Sequence, residues 1–228
     1  MSETNGRRGW LLALDTATTT IVVGVGSTGG ELTAAEAFEG RYRHSQELLP
    51  AVVRILDRTG VRLPDLAGVV VGTGPGAFTG LRVGIATAKT LAHELGCPVV
   101  GIATSTALLA AVDGATILWL PAGPRDRVLV RAGESPVVMP GGEPEEALVP
   151  TDRVLAVDLD GRASEAALAL GRQAVAGLPA VLLRLGAARL AAGDVDDPER
   201  LVPAYASRPR GATGGDAEGG VAWSRDPR

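Results

Sequence analysis

Between Val69 and Leu95 the chain reads VVVGTGPGAFTGLRVGIATAKTLAHEL, and the glycines in it are spaced so that they could hold an anion. Val69, Val70 and Val71 form a β-branched run, the mark of a strand covered on both faces. Gly72, Gly74, Gly76 and Gly80 permit a sharp turn and the close approach of a backbone or a ligand. A helix then runs to Gly96 and Pro98, with Thr79 as its expected N-cap. Free N–H groups at such a turn attract phosphate. The stretch lacks the Gly-Lys-Ser/Thr ending of a P-loop, and a GxGxxG register needs its last glycine replaced. Backbone packing is the leading reading, with phosphate binding behind it.

Asp15, Thr16, Thr18 and Thr19 are the second candidate set. In an Asx or Ser/Thr turn their oxygens would satisfy free N–H groups between two strands. The group also resembles the first phosphate loop of actin-like ATPases, which implies a weak half-site at Asp15, Thr16 and Thr18. A complete site of that kind needs a second glycine-rich loop, and Asp158-Leu159-Asp160-Gly161 lacks the glycine run, so the turn is favoured. His44 and His93 are the only histidines and form no His-x-x-x-His pair. His44 beside Ser45 reads as part of a helix cap, and His93 as the polar edge of a helix with Arg82 and Lys89. Cys97 lies between Gly96 and Pro98 and reads as a structural thiol. No catalytic constellation, metal site or cofactor is expected.

The 228 residues suffice for one large domain or two small ones. An apolar share of 46% with 3% aromatic residues predicts a core of Ala, Val and Leu. A net charge of −4 argues against a protein that grips nucleic acid alone, although Arg41, Arg43 and His44 make a local basic cluster. A single cysteine fits a reducing compartment. The first ten residues carry no apolar leader, and no eighteen consecutive residues are apolar, so a soluble cytoplasmic protein is expected.

Periodicity places strands at Trp10–Asp15, Thr20–Gly26 and Glu31–Phe38 as an antiparallel meander. A helix follows at Ser45–Arg58, then the strand at Val69, a helix from Gly80, the strand Val99–Ile102 and a helix from Ser105. The order βββαβαβα is that of the ribonuclease-H-like half of actin-like proteins. Later segments give strands at Ile117–Leu120, Arg127–Arg131 and Val154–Val157, and helices at Ala163–Ala176 and Val181–Ala192. The expected fold class is thus α/β, ribonuclease-H-like, with two lobes, the second smaller and degenerate. Its divisions are a loose stretch 1–9, a lobe 10–103, a lobe 104–210 and a glycine-rich disordered tail 211–228, in which Trp223 is not expected to dock.

Four ordered segments carry a family resemblance. GTGPGAFTGLRVGIATAKTLA is similar to the GxGPGSFTGLRIG signature of the bacterial TsaB (YeaZ) proteins. LALDTATTTIVVGV at 11–24, RHSQELLPAVVRIL at 43–56 and PAYASRP at 203–209 resemble that family's opening strand, H-S-x-x-L-L-P helix and closing P-x-Y-x-R-P. The second lobe departs from it: Pro121 and Leu129 stand where an Asp and a Tyr are usual, and Ala206 where a Leu is common. The resemblance implies a non-catalytic scaffold in the making of threonylcarbamoyladenosine in tRNA. It implies pairing with a TsaD-like catalytic subunit, a TsaE-like ATPase reached through the complex, tRNA contact only within it, and no membrane. A homodimer of the isolated chain is a further option. The alternatives are a glycoprotease-like hydrolase and an actin-like nucleotide-binding enzyme.

Two helices are more apolar than a core stripe requires. In the first, Leu49, Val52, Val53 and Leu56 suffice for a core, so Leu48, Ala51 and Ile55 widen the apolar arc. In the second, Leu81, Ile85, Ala88, Ala92 and Leu95 make one stripe, and Val83, Gly84, Thr87 and Leu91 a second. Deeper burial within the monomer accounts for the surplus as well as a partner does. The resemblance implies the partner, which makes Leu48, Ala51, Ile55, Val83, Gly84, Thr87 and Leu91 the expected interface. Pro50 is harmless in the first turn of its helix and kinks it if deeper.

Overall fold

The computed structural model describes residues 9–40, 43–140 and 152–205. Expectations for the loose N-terminal stretch (Gly9 apart), Arg41, Ala206, the rest of the closing motif and the tail with Trp223 lie outside these residues.

The first half follows the predicted order. Strands β1 (Trp10–Asp15), β2 (Thr20–Ser27) and β3 (Leu32–Glu39) form the antiparallel meander, and helix α1 (His44–Thr59) follows. Strand β4 (Leu66–Gly72) lies parallel to β1, helix α2 (Phe78–Leu95) crosses back, and β5 (Val99–Ile102) pairs parallel with β4. The sheet order is β3-β2-β1-β4-β5. Helix α3 (Thr104–Ala110) leads to a second sheet of β6 (Ile117–Pro121), β7 (Arg127–Arg131), β8 (Val137–Met139) and β9 (Val154–Ala156), in the order β8-β7-β6-β9. Helix α4 (Glu165–Ala191) ends the regular structure.

Alternation along the strands sorts the core into layers. Two lie on either face of the first sheet, and a third, around Ile117, Trp119 and Leu129, on the outer face of the second. Leu12, Leu14, Val69 and Val71 face α1 and α2. Leu11, Ala13, Val70 and Val100 face α4, and Leu118, Leu120, Val128 and Val130 of the second sheet share that layer. One helix therefore seals both sheets. By length and composition α4 is apolar enough to cross a membrane, but here Ala174, Leu178, Leu182 and Leu183 are enclosed between the sheets.

Two expectations need correction, one open alternative closes and one strand was not foreseen. The two helices predicted at 163–176 and 181–192 are one. Pro179 removes a single hydrogen bond inside α4, and the apolar side chains buried on both sides of it offset that loss. Thr79 is not an N-cap, because α2 begins at Phe78 after Ala77, with no side-chain cap. Pro50 lies beyond the first turn of α1. Strand β8 was not expected, since Val137 and Val138 are exposed and three residues carry little pattern.

Candidate functional site

The best candidate for chemistry is the turn between β1 and β2, where apolar Leu11–Leu14 gives way to Asp15, Thr16, Ala17 and Thr18, all of them buried. Asp15 Oδ1 accepts the Ala17 N–H (2.8 Å), and Oδ2 accepts from Thr104 Oγ1 (2.7 Å). Thr104 Oγ1 in turn accepts the Gly74 N–H (3.0 Å). Burial pushes the Asp15 carboxyl up to about 6, against the hydrogen bonds from Thr104 and Ala17, which favour the charged form.

The signature glycines exist to admit this turn. A Cβ on Gly72 would lie 1.7 Å from Asp15 Oδ2, on Gly76 2.1 Å from the Ala17 carbonyl oxygen, and on Gly80 2.1 Å from that of Thr16. Gly84 would meet Thr16 Oγ1 at 2.2 Å. Thr16 Oγ1 donates to the Gly80 carbonyl (2.7 Å), and the Ala77 N–H donates to Ala17 (2.7 Å). The N–H groups of Gly74 and Ala77 are thus taken up within the chain. The packing reading of the glycines accounts for the geometry.

Two more anchors reach the same turn. His44, the first residue of α1, donates Nε2–H to the Thr18 carbonyl (3.0 Å); it holds the helix start by its ring. From the second half, Asp158 accepts the Thr19 N–H (2.7 Å) and Thr19 Oγ1 (2.5 Å). Asp158 sits at φ +57°, a conformation that costs a non-glycine residue roughly 1 kcal/mol. The loop set aside in sequence as a second phosphate loop is a carboxylate tie between the halves. Beside it is a cleft of about 500 Å³, lined among others by Thr19, Glu39, Asp158, Asp160 and Arg172. Arg172 is paired with Glu165, so the charge facing this cleft is mainly negative. Among the described residues, no three His, Cys, Asp or Glu side chains are grouped to hold a metal ion.

On α1 Val52 and Leu56 are buried as expected, but the rest of the expected assignment is interchanged. Leu48, Ala51 and Ile55 are at most 1% exposed and belong to the core, whereas Leu49 and Val53, assigned to the core from sequence, are 50% and 53% exposed. The anchor that decides the rotation is His44, whose bond to Thr18 turns the 44–48–51–55 row inward. On α2, Ile85 is buried, Gly84 is closed against Thr16, and Val83, Thr87 and Leu91 are half-buried at the surface. Arg54 and Arg58 tie the far flank of α1 to Glu36 of β3, leaving the Leu49–Val53 row on the flank nearer α2. A leucine and a valine four residues apart were the available signal for an exposed apolar row.

Comparison with known proteins places this architecture. A family model described as TsaD, tRNA N6-adenosine threonylcarbamoyltransferase, matches residues 39–181. An uncharacterized protein of Mycobacterium tuberculosis is 32% identical over 206 residues, covering 87% of this chain and 92% of its own. The solved structure of YeaZ from Pseudomonas aeruginosa superposes with a TM-score of 0.65 at 27% identity, over 86% of this chain and 99% of that one. The chain belongs to the TsaB (YeaZ) family. The Escherichia coli member, named tRNA threonylcarbamoyladenosine biosynthesis protein TsaB, is 37% identical over 117 residues, 45% of this chain and 49% of its own. Family membership accounts for the ribonuclease-H-like order of the first sheet, and the signature shared with the family is the segment packed on the Asp15 turn.

Proposed function

We propose that this chain is a non-catalytic, cytoplasmic subunit in the biosynthesis of threonylcarbamoyladenosine in tRNA. It pairs with a TsaD-like catalytic subunit through the outward faces of α1 and α2, within an assembly that includes a TsaE-like ATPase and meets tRNA only there. The chain divides into lobes at 10–103 and 104–210, and the first sheet backs the pairing helices. The observation that carries the reading is a division of labour. Side chains resembling chemistry (Asp15, Thr16, Thr18, His44) are buried and hydrogen-bonded inside the chain, while Leu49 and Val53 stand half-exposed beside Val83, Thr87 and Leu91. Exposed aliphatic rows on rigid helices are what a helix-packing partner covers.

The mechanism is scaffolding. The Asp15 turn fixes the starts of both helices, α1 through His44 and α2 through Gly80 and Ala77, so their outer faces are presented at one angle. A preset surface loses less freedom on binding. The test is complementation. In cells lacking the gene, threonylcarbamoyladenosine in tRNA should fall, return with the wild-type chain, and not return with Leu49→Arg/Val53→Arg. Full recovery with that variant would refute the pairing surface.

A further inference from the structure

Along the flank of α2 away from α1 runs a second row, Phe78, Arg82, Lys89 and His93, at spacings that share one helix side. The Arg82 guanidinium lies 4.4 Å over the Phe78 ring, and Phe78 stacks on Tyr205 with centroids 4.9 Å apart. Both rings are more than a third exposed, in a chain with only two Phe and two Tyr. The C-terminal segment that carries Tyr205 is pinned beneath by the Ala204 N–H, which donates to Thr73 (2.8 Å).

The charges on this row differ from others on the same side of the sheet. Arg43, just before α1, and Arg54 and Arg58 within it pair with Glu47 or Glu36. Among the described residues Arg82 and Lys89, the only lysine in the sequence, have no acidic partner. Glu94, the sole carboxylate of α2, lies seven residues from Thr87 and so on the other flank. A protein of net charge −4 therefore presents a cationic edge, without an acidic partner among the described residues, beside a stacked aromatic anchor. Stacked Arg, Phe and Tyr side chains have already given up rotamer freedom, which makes them suited to an interface centre.

We infer that this row docks a carboxylate-bearing segment of the same TsaD-like partner, with Arg82 as the anchor and Lys89 extending the charge; the inference rests on the pairing proposed above. An acidic protein segment is favoured over RNA because the row and the half-exposed aliphatic surface are carried by the same helix, and two side-chain cations make a small phosphate footprint.

The test measures affinity of the full chain for the TsaD-like subunit at 50 and 500 mM NaCl. Wild type, Arg82→Glu/Lys89→Glu, Phe78→Ala and Val53→Arg are compared, each checked for fold by circular dichroism. The charge-reversed variant should bind about tenfold or more weakly at low salt and lose most of the wild-type salt dependence. Phe78→Ala should weaken binding several-fold by freeing Arg82. If both bind within twofold of wild type while Val53→Arg does not bind, the acidic contact is refuted and the pairing stands. If Val53→Arg also binds at full strength, the pairing falls too. If charge reversal spares pairing but lowers tRNA retention by the assembled complex, the row belongs to RNA and the inference is overturned.

Discussion

The turn after β1 and the outer faces of α1 and α2 are joined by hydrogen bonds, yet they are built in opposite ways. In the turn, a carboxylate and two threonines are buried, each oxygen is matched, and four glycines are required by the fit. On the helices, aliphatic and cationic side chains stand exposed, with nothing among the described residues covering them fully. The comparison teaches that the residues most suggestive of chemistry hold this fold together, and that the surface proposed to meet a partner is made of ordinary ones. A buried polar group costs stability unless it is paired; an exposed apolar row calls for a partner to cover it.

The comparison breaks most severely at the glycines. Gly80→Ala would drive a methyl into the Thr16 carbonyl, where backbone must move. We expect a loss of about 3 kcal/mol or more, at the upper end of overpacking costs, measured by urea denaturation. A variant of wild-type stability would show that the turn is not close-packed. Asp15→Asn tests the same site by charge. Because the folded pKa is raised from 3.8 to about 6, the carboxyl's contribution is fully present below pH 4 and is lost as pH rises through 6. The wild type should give up about 3 kcal/mol across that window. The Asn variant should lack this slope in pH-dependent unfolding, and a retained slope would assign it to other groups.

Much of this arrangement was legible in the sequence and part was not. Strand alternation around Leu12, Leu14, Val69 and Val71 marks two buried faces, so the first sheet could be read directly. The role of the Asp15 turn followed from the chemistry of short polar side chains. The rotation of α1 did not, because every position from Leu48 to Leu56 except Pro50 and Arg54 is apolar and the pattern alone does not choose a face. That choice is made by His44 meeting Thr18, a contact 26 residues apart. The continuity of α4 was hidden for a similar reason, since Pro179 reads locally as a break and only two sheets stacked on the helix carry it through.

Further substitutions sharpen the contrast. Thr87→Arg should leave the chain folded and weaken pairing by roughly a hundredfold, because a guanidinium would be desolvated in the interface. Ile85→Arg, at 3% exposure, should unfold it. Equal melting of the two by circular dichroism would place Thr87 in the core. Asp158→Gly should change stability by no more than about 1 kcal/mol, since relief of the left-handed strain offsets the lost bonds. Hydrogen exchange at the Thr19 amide should nonetheless accelerate at least tenfold. An unchanged rate would mean that Asp158 does not tie the halves.

The central claim is that α1 presents its Leu49–Val53 row outward and its Leu48–Ile55 row inward. It is tested most directly by Val53→Arg and Ile55→Arg, compared for thermal unfolding and for co-purification with the TsaD-like subunit. Val53→Arg should melt within a few degrees of wild type and fail to retain the partner, whereas Ile55→Arg should not fold. A Val53→Arg chain that unfolds, or one that folds and retains the partner in full, would contradict the account.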